Sequence, residues 1–309
     1  MTFRYFPLCF RFVALTPVSF GSVLPGNAIR SALGSSLRRA GCVPDCDDSG
    51  ACRHGNDCPY LYLFQPNVES GPSGLRHRPR PFVIRARQLE HCSIARGDKF
   101  EFQINVFELR RPVIDWIVRA FCRWEEHEQG PARSTVHLDA VELQPCFGPP
   151  QLLFADGVLL RPTPEPVSLS LERESPQDAK RLHVEFLSPT ELKENGIVVE
   201  VPRFATLMRR IWERINTLSS VYGDGVLPIS WSSLIEQAAS VRNVSSRGVH
   251  VPVKRTSRKV GRHPLGGFVG ELVYEGEVSQ FVPWLRIAEI TGVGRQTVWG
   301  KGEIRVRVE

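Results

Sequence analysis

Apolar and polar residues alternate along several stretches of this 309-residue chain. A period of two residues is typical of a strand that buries one face. The clearest example is residues 98–109, in which every second side chain from Phe100 to Val106 is apolar. This pattern predicts a strand. Alternation or a high content of aromatic and β-branched residues predicts further strands at 3–15, 81–87, 135–143, 181–187, 268–274 and 298–308.

Other stretches place apolar residues three or four positions apart, which is the spacing of an amphipathic helix. Ile29, Leu33 and Leu37 form such a stripe in residues 27–41, and Gly41 is a suitable end for that helix. The same spacing predicts further helices at 112–128, 203–222, 231–241 and 282–290. The helix at 231–241 is interpreted as an insertion.

In the first half the remaining elements have the order strand, helix, strand, strand, helix, strand, and the three strands and two helices of the second half are interpreted as a second unit of this order. This order predicts an α+β protein with two tandem ferredoxin-like (RRM-like) βαββαβ domains. We place the N-terminal domain at residues 1–150, a Pro-containing linker at 151–166 and the C-terminal domain at 167–309. The N-terminal domain carries a Cys-rich insertion at residues 42–58.

Charge and hydropathy add two general expectations. Lys and Arg outnumber Asp and Glu by 39 to 33, which gives a net charge of +6 and by itself is only weak evidence for an anionic partner. No apolar run reaches the roughly 18 residues that a membrane-spanning helix needs. We therefore expect no membrane association and a cytoplasmic protein.

Four cysteines lie close together in a loop rich in Gly, Asp and Pro. Four thiolates can close one tetrahedral site, which is the arrangement of structural zinc. The intervals between them are longer than the Cys-x-x-Cys spacing of common zinc knuckles, so an iron–sulfur cluster and unmetallated thiols remain alternatives. The predicted ligands are Cys42, Cys46, Cys52 and Cys58.

The C-terminal segment T-G-V-G-R-Q-T-V-W-G-K-G combines four glycines with two cations, Arg295 and Lys301. Glycine lets backbone amides approach a ligand closely, and amides beside cations suit phosphate. Taken alone, the segment is equally consistent with a simple turn before a strand. Residues 247–262 form a second basic segment, which by itself is typical of a solvated surface.

Four motifs together resemble a known family. They are I-R-S-A-L-G-S-S-L-R-R-A-G-C followed by C-P-Y-L-Y-L-F-Q-P, then L-S-P-T-E-L-K-E-N-G, then S-R-K-V-G-R-H-P-L-G-G-F-V-G-E, and G-V-G-R-Q-T-V-W-G-K-G. In this order they are similar to the CRISPR-associated endoribonucleases of the RAMP superfamily, whose glycine-rich loop the last motif resembles.

The resemblance implies an enzyme that binds a CRISPR repeat RNA and cleaves it without a metal ion. A ribose 2′-OH attacks the adjacent phosphorus and leaves a 2′,3′-cyclic phosphate. No catalytic cofactor is then needed, and other CRISPR effector subunits are expected partners. Two alternatives stand beside this one: a non-cleaving RNA-binding subunit, and a zinc-dependent nuclease. Four cysteine ligands argue against the zinc nuclease because they leave no coordination position for water.

The resemblance also implies which residues bind RNA and which act in catalysis. Family members often carry a catalytic histidine in or after the first helix, but residues 27–41 contain none. The catalytic candidates are therefore His54, His263 and, as an electrostatic stabiliser, Arg38. The expected RNA-binding residues are Arg30, Arg39, Arg255, Ser257, Arg258, Lys259, Arg262, Gly292, Gly294, Arg295, Gln296, Thr297, Trp299, Gly300, Lys301 and Gly302.

Overall fold

The computed structural model describes most of the chain. The described residues are 1–21, 24–41, 58–64, 78–126, 133–172, 178–194, 196–252, 254–257, 261–264 and 266–309. They form two compact units, one comprising Arg4–Val167 and the other Ser168–Glu309 together with Met1–Phe3.

The N-terminal unit is built on one antiparallel sheet with helices on one side. Its elements are β1 (Thr2–Ala14), β2 (Val18–Ser19), α1 (Pro25–Gly41), α2 (Pro59–Phe64), β3 (Phe82–Arg85), β4 (Ser93–Ile94), β5 (Lys99–Val106), α3 (Val113–Cys122), β6 (Val136–Leu143), β7 (Gln151–Ala155) and β8 (Val158–Leu159). The sheet has the order β3-β5-β1-β6-β7-β8. The neighbouring strands β3, β5, β1 and β6, together with helices α1 and α3, have the ferredoxin-like arrangement.

Aromatic side chains fill the core of this unit. Phe12 of β1 lies 5.2 Å from Phe102 and 5.5 Å from Phe121, measured between ring centroids. Trp124 is fully buried, and its indole N–H donates to the Ser134 carbonyl at 3.0 Å. Each fully buried side chain of this kind contributes roughly 1.5–3 kcal/mol to folding. The alternating pattern that predicted β5 therefore marks the face that packs on α3.

Residues 151–166, the predicted linker, contain two strands of the N-terminal sheet. Phe154 of β7 pairs with Val141 of β6 and with Leu159 of β8. Leu153 and Phe154 are buried. The prolines that suggested a linker flank these strands, whereas the apolar residues between them add to the core.

The C-terminal unit repeats the ferredoxin-like order and adds two hairpins. Its elements are β9 (Val167–Ser170), β10 (Arg181–Thr190), β11 (Leu192–Glu194), β12 (Ile197–Val199), α4 (Phe204–Tyr222), α5 (Trp231–Ser240), β13 (Arg242–Val251), β14 (Lys254–Ser257), β15 (Gly261–Pro264), β16 (Gly267–Glu275), α6 (Val282–Thr291) and β17 (Ile304–Val308). The main sheet has the order β13-β16-β10-β17. The hairpins are β11–β12 and β14–β15.

Helices α4 and α6 cover one face of this sheet through large aromatic residues. Trp231 lies 5.6 Å from Trp212 and 5.5 Å from Trp284. Tyr274 of β16 is buried, and its hydroxyl donates to the Pro202 carbonyl at 2.8 Å. Burial raises the pKa of this phenol well above its usual range. Helix α5 therefore joins the core through Trp231.

Strand β13 is the one main strand of this unit that the sequence pattern did not predict. It lies at the sheet edge, and most of its side chains are exposed on both faces. No alternation of apolar and polar residues can arise under those conditions. The predicted closing strand 298–308 is shorter than expected, because β17 begins at Ile304 and Thr297–Trp299 form a single 3-10 turn.

Both units confirm the predicted tandem ferredoxin-like fold. Residues 42–57 lie outside the described part of the chain, so the structure does not test the Cys-rich insertion; Cys58 is described and is buried. Among the described residues, no helix is long and apolar enough to cross a membrane.

Candidate functional site

The glycine-rich loop connects α6 to β17 and is closed by a tight backbone contact. The Val293 N–H donates to the Gly302 carbonyl at 2.8 Å. Gly302 has a φ of +70°, and a Cβ at that position would lie 1.9 Å from the Val293 carbonyl oxygen. Gly294 has a φ of +80°, and its Cβ would lie 2.5 Å from the Glu191 carbonyl oxygen. Only glycine fits at these two positions.

Arg295 is oriented by Glu191 through both its backbone and its side chain. The Arg295 N–H donates to the Glu191 carbonyl at 3.2 Å, and Nη1 donates to Glu191 Oε1 at 2.6 Å. The Arg295 side chain is 53% exposed, while that of Glu191 is 12% exposed. The remaining guanidinium N–H groups can donate to a phosphate, because a guanidinium carries five such donors. This geometry agrees with the phosphate contact predicted for Arg295.

Lys301 does not have the position that a phosphate contact requires. It is 0% exposed, and its Nζ donates to the Gly266 carbonyl at 2.9 Å and to Gln296 Oε1 at 3.0 Å. Burial lowers the pKa of Lys301 to about 8; nearby Glu191 opposes this shift and Arg295 adds to it. The expectation that Lys301 contacts RNA is therefore corrected: in this structure its ammonium group is enclosed by protein.

The other predicted loop residues differ in accessibility. Gln296 has a left-handed backbone with φ 62°, and Gly300 has φ 85°. Thr297 is buried, so its side chain does not reach the surface. Trp299 is partly exposed and can contact a ligand. Of the loop side chains, Arg295 and Trp299 are the ones that the structure leaves accessible for RNA, together with part of Gln296.

The predicted basic segment contains the β14–β15 hairpin, which extends from the β13–β16 pair. We call these two paired segments, residues 254–257 and 261–264, the basic hairpin. The β13–β16 pairing runs as far as Val251 opposite Gly267. Within the basic hairpin, the backbone of Arg255 pairs with that of His263, and Ser257 pairs with Gly261. Thr256 pairs with Arg262, whereas Arg258 and Lys259 lie outside the described residues.

In the N-terminal unit, three arginine side chains stack on aromatic rings of α2. Such stacking orients the planar cation. The distances from guanidinium carbon to ring centroid are 4.7 Å for Arg30 and Phe64, 5.0 Å for Arg38 and Tyr60, and 4.4 Å for Arg111 and Tyr62. Arg39, the next residue of α1, is exposed.

Arg111 and Tyr62 were not found by sequence reasoning. The Tyr62 hydroxyl donates to the carboxylate of Glu108, which is itself buried and also accepts the Arg110 N–H at 2.7 Å. This carboxylate joins α2 to the loop before α3. The available signal in the sequence was Glu108, three residues before Arg111. A single acidic residue in a sequence, however, does not reveal which side chain it binds.

The predicted metal ligands are only partly described. Cys42, Cys46 and Cys52 lie outside the described residues, as does His54. The Cys58 carbonyl accepts the Tyr62 N–H at 3.0 Å. No group of three or more potential metal-ligating side chains occurs among the residues that the structure describes. Zinc binding therefore stays a prediction.

The face of the C-terminal sheet opposite its buried residues is covered by ion pairs between strands. Glu271 accepts from His183 Nδ1 at 3.0 Å and from Arg307 Nη2 at 2.8 Å. These hydrogen bonds, that of His183 foremost, lower the pKa of the Glu271 carboxyl. Arg305 lies 3.5 Å from Glu185 on the same face. RRM domains stack bases on aromatic residues of the sheet, and these ion pairs offer no such surface.

Comparison with protein families gives two adjacent matches. Residues 3–165 match the AF_1859_N model, described as an N-terminal domain. Residues 184–304 match the model described as CRISPR-associated endoribonuclease Cas6. No curated protein sequence matches the chain significantly.

Solved structures share the fold over nearly the whole chain. A Thermus thermophilus Cas6 in a product complex is 13% identical, with 98% of this chain and 99% of that one covered and a TM-score of 0.56. A second Cas6 product complex is 16% identical, with 99% and 100% covered and a TM-score of 0.52.

A partial Cas6-RT-Cas1–Cas2 complex is 13% identical, with 99% of this chain and 46% of that one covered and a TM-score of 0.56. At these identities the likeness shows a common fold. Together with the family model, it shows that residues 184–304 form a domain of the CRISPR-associated endoribonuclease Cas6 family.

Proposed function

We propose that this protein binds the repeat of a CRISPR precursor RNA and cleaves one phosphodiester bond in it without a metal ion. The observation that carries the proposal is Arg295, which Glu191 orients within a sterically fixed glycine-rich loop of a Cas6-type unit. Two structures with a similar fold are Cas6 product complexes, which supports RNA as the substrate class. Association with other CRISPR proteins is supported by the Cas6-RT-Cas1–Cas2 assembly.

RNA binding in this proposal depends on two basic regions of the C-terminal unit. Arg295 provides a guanidinium fork whose exposed donors match two oxygens of one phosphate. The basic hairpin is the second region, and its two paired strands contain Arg255 and Arg262. Because phosphate contacts carry no sequence information, these groups supply affinity, and the fold of the repeat supplies selection.

The cleavage step needs a base for the 2′-OH proton, cations for the charge on the phosphorane and an acid for the departing 5′ oxygen. The 2′ oxygen forms a bond to phosphorus as the bond to the 5′ oxygen breaks, so the products are a 2′,3′-cyclic phosphate and a 5′-OH. RNA has the nucleophile and DNA lacks it. The reaction balances without a redox group or an added co-reactant.

Two candidates for these roles lie in described parts of the chain. His263 belongs to the basic hairpin, where its backbone pairs with that of Arg255. Histidine is suited to proton transfer because its ordinary pKa lies close to neutral pH. Arg38, stacked on Tyr60, is a cation for the developing negative charge, since arginine does not act as a base in proteins. His54 remains the third candidate.

A second function, binding the repeat without cutting it, is favoured by one observation: helix α1 carries no histidine. The two functions are separated by incubating purified protein with end-labelled repeat RNA in EDTA. Cleavage that leaves a cyclic phosphate supports the endoribonuclease. Tight binding with intact RNA supports the non-cleaving subunit. Cleavage that needs added metal ion would contradict metal-independent catalysis.

A repeat with a single 2′-deoxy nucleotide at the scissile position provides the matched substrate control. We expect it to bind as well as the all-RNA repeat and to remain intact, because it lacks only the nucleophile. Cleavage of this substrate at the same position would rule out attack by the 2′-OH.

A further inference from the structure

Lys301 is a buried cation that the proposed chemistry does not use. An ammonium group loses its hydration when it is enclosed, and this cost is tolerated when the protein supplies hydrogen-bond acceptors. Lys301 has two, the Gly266 carbonyl at 2.9 Å and Gln296 Oε1 at 3.0 Å. No carboxylate among the described residues forms an ion pair with it. The two partners of the ammonium group are therefore uncharged oxygens, one from a backbone carbonyl and one from a side-chain amide.

The two acceptors belong to different RNA-binding segments. Gln296 lies in the glycine-rich loop, beside Arg295. Gly266 lies at the base of the basic hairpin, immediately before β16. The Lys301 side chain therefore joins the loop to the hairpin base.

The surroundings of this link leave little freedom for movement. A Cβ on Gly267 would lie 2.6 Å from the backbone of Thr190, at the end of β10. The Gly302 N–H donates to the Pro189 carbonyl at 3.3 Å. The start of β16, the end of β10 and the loop are packed backbone against backbone. A shift of the hairpin base would therefore move the loop as well.

The backbone of Gln296 indicates that the link has a role beyond filling space. Gln296 has a left-handed conformation with φ 62° and ψ 30°, which is unfavourable for a non-glycine residue. Glycine would avoid that cost but would have no side-chain oxygen. The bond from Lys301 to Gln296 Oε1 gives a reason for a glutamine there and fixes the turn that directly follows Arg295.

We propose that Lys301 is a positioning residue, which holds the glycine-rich loop and the base of the basic hairpin in one RNA-binding arrangement without touching the RNA. This inference rests on the proposed function, because it assumes that both segments bind the repeat. It differs from the usual expectation for a lysine in a glycine-rich loop, which is direct contact with phosphate.

The salt dependence of binding separates positioning from contact. Each cation that contacts a phosphate contributes roughly 0.7–0.9 to the slope of log K against log salt concentration. A positioning residue changes the affinity but leaves the number of contacts, and hence the slope, nearly the same. Arg295 provides the matched comparison, since its guanidinium is exposed in the same loop.

The test measures the affinity of wild type, Lys301→Met and Arg295→Ala for labelled repeat RNA over a range of salt concentrations. We expect Lys301→Met to weaken binding by about tenfold or more at each concentration, with the slope of wild type. Arg295→Ala should weaken binding and lower the slope by roughly one contact. If Lys301→Met lowers the slope as Arg295→Ala does, Lys301 contacts phosphate and the inference is wrong. Unchanged affinity would also overturn it.

Gln296→Gly provides an independent variant if Lys301→Met does not fold. It removes one acceptor of Lys301 while relieving the backbone cost, so a merely structural role for Gln296 predicts equal or higher stability and unchanged RNA affinity. We expect weaker RNA binding with the wild-type slope. Unchanged affinity of folded Gln296→Gly contradicts positioning through this bond. Failure of wild type to bind the repeat would overturn the proposed function itself, which is a separate outcome.

Discussion

Glu191 and Arg295 form an ion pair at 2.6 Å in which the carboxylate is largely buried and the guanidinium is half exposed. The pair directs Arg295 and at the same time neutralises part of its charge. An RNA phosphate therefore competes with Glu191 for the same cation. Partly exposed ion pairs contribute only about 0.2–1 kcal/mol, so the competition is a modest one.

Glu191→Gln should strengthen RNA binding. The amide keeps the size and one acceptor of the carboxylate, but the full charge of Arg295 becomes available to phosphate. We expect an increase in affinity of about two- to fivefold at low salt, which disappears at high salt. Fluorescence anisotropy with labelled repeat RNA measures it. A loss of affinity at low salt would mean that Glu191 acts mainly by orienting Arg295.

Gly302→Ala should be strongly destabilising. Its Cβ would lie 1.9 Å from the Val293 carbonyl oxygen, in addition to a φ of +70°. We expect a loss of roughly 3 kcal/mol or more in the free energy of unfolding.

Gly196→Ala is the matched control for this variant, because Gly196 has a φ of +85° and no atom within 4 Å of its Cβ position. This control should lose only about 1 kcal/mol, the cost of the backbone conformation. Denaturant unfolding of both variants gives the comparison. Equal losses would show that the loop can yield at Gly302.

The burial of Lys301 should be visible in the pH dependence of stability. Its pKa is about 8 in the folded protein against an ordinary value of 10.5. Between these values the unfolded chain binds a proton that the folded chain lacks, so folding becomes more favourable as pH rises. The free energy of unfolding of wild type minus that of Lys301→Met should therefore increase from about pH 8 to about pH 10.5.

Other groups also titrate in that range but cancel in the difference. Burial raises the pKa of the Cys9 thiol to about 12, which makes the folded state less favourable above the ordinary thiol pKa. Both proteins share this effect. A difference that stays flat or falls with pH would contradict the buried position of Lys301.

Cys46→Ser should lower zinc content and thermal stability. A structural site loses one of four thiolate ligands in this variant, whereas catalysis without a metal should persist in the protein that remains folded. Cys146→Ser is the matched control because Cys146 is exposed. Metal analysis and thermal unfolding provide the measurement. Equal zinc content in Cys46→Ser and wild type would remove the metal site.

The sequence predicted the fold well where burial has a local signature. The alternation around Phe102 and the stripe of Ile29 and Leu33 correspond to side chains that are fully buried. Strand β13 has no such signature, because both of its faces are exposed. The buried Leu153 lies among prolines that suggested a linker. Periodicity reports burial, so elements at an edge or between prolines are missed.

The candidate site was predictable only in part. The sequence predicted a glycine-rich loop, and the structure shows why two of its positions require glycine: neither has space for a Cβ. The role of Lys301 does not, because its burial depends on Gly266, which is 35 residues away in the chain. The stacking of Arg111 on Tyr62 likewise joins distant segments. A charged residue next to glycines looks the same in sequence whether it faces a ligand or the protein.

We expect this chain to cut CRISPR repeat RNA by metal-independent attack of the 2′-OH. The most direct measurement is incubation of purified protein with end-labelled repeat RNA in EDTA, followed by analysis of the new 3′ end. We predict one cleavage product that ends in a 2′,3′-cyclic phosphate. Intact RNA under conditions of tight binding, or cleavage only after a divalent cation is added, would contradict it.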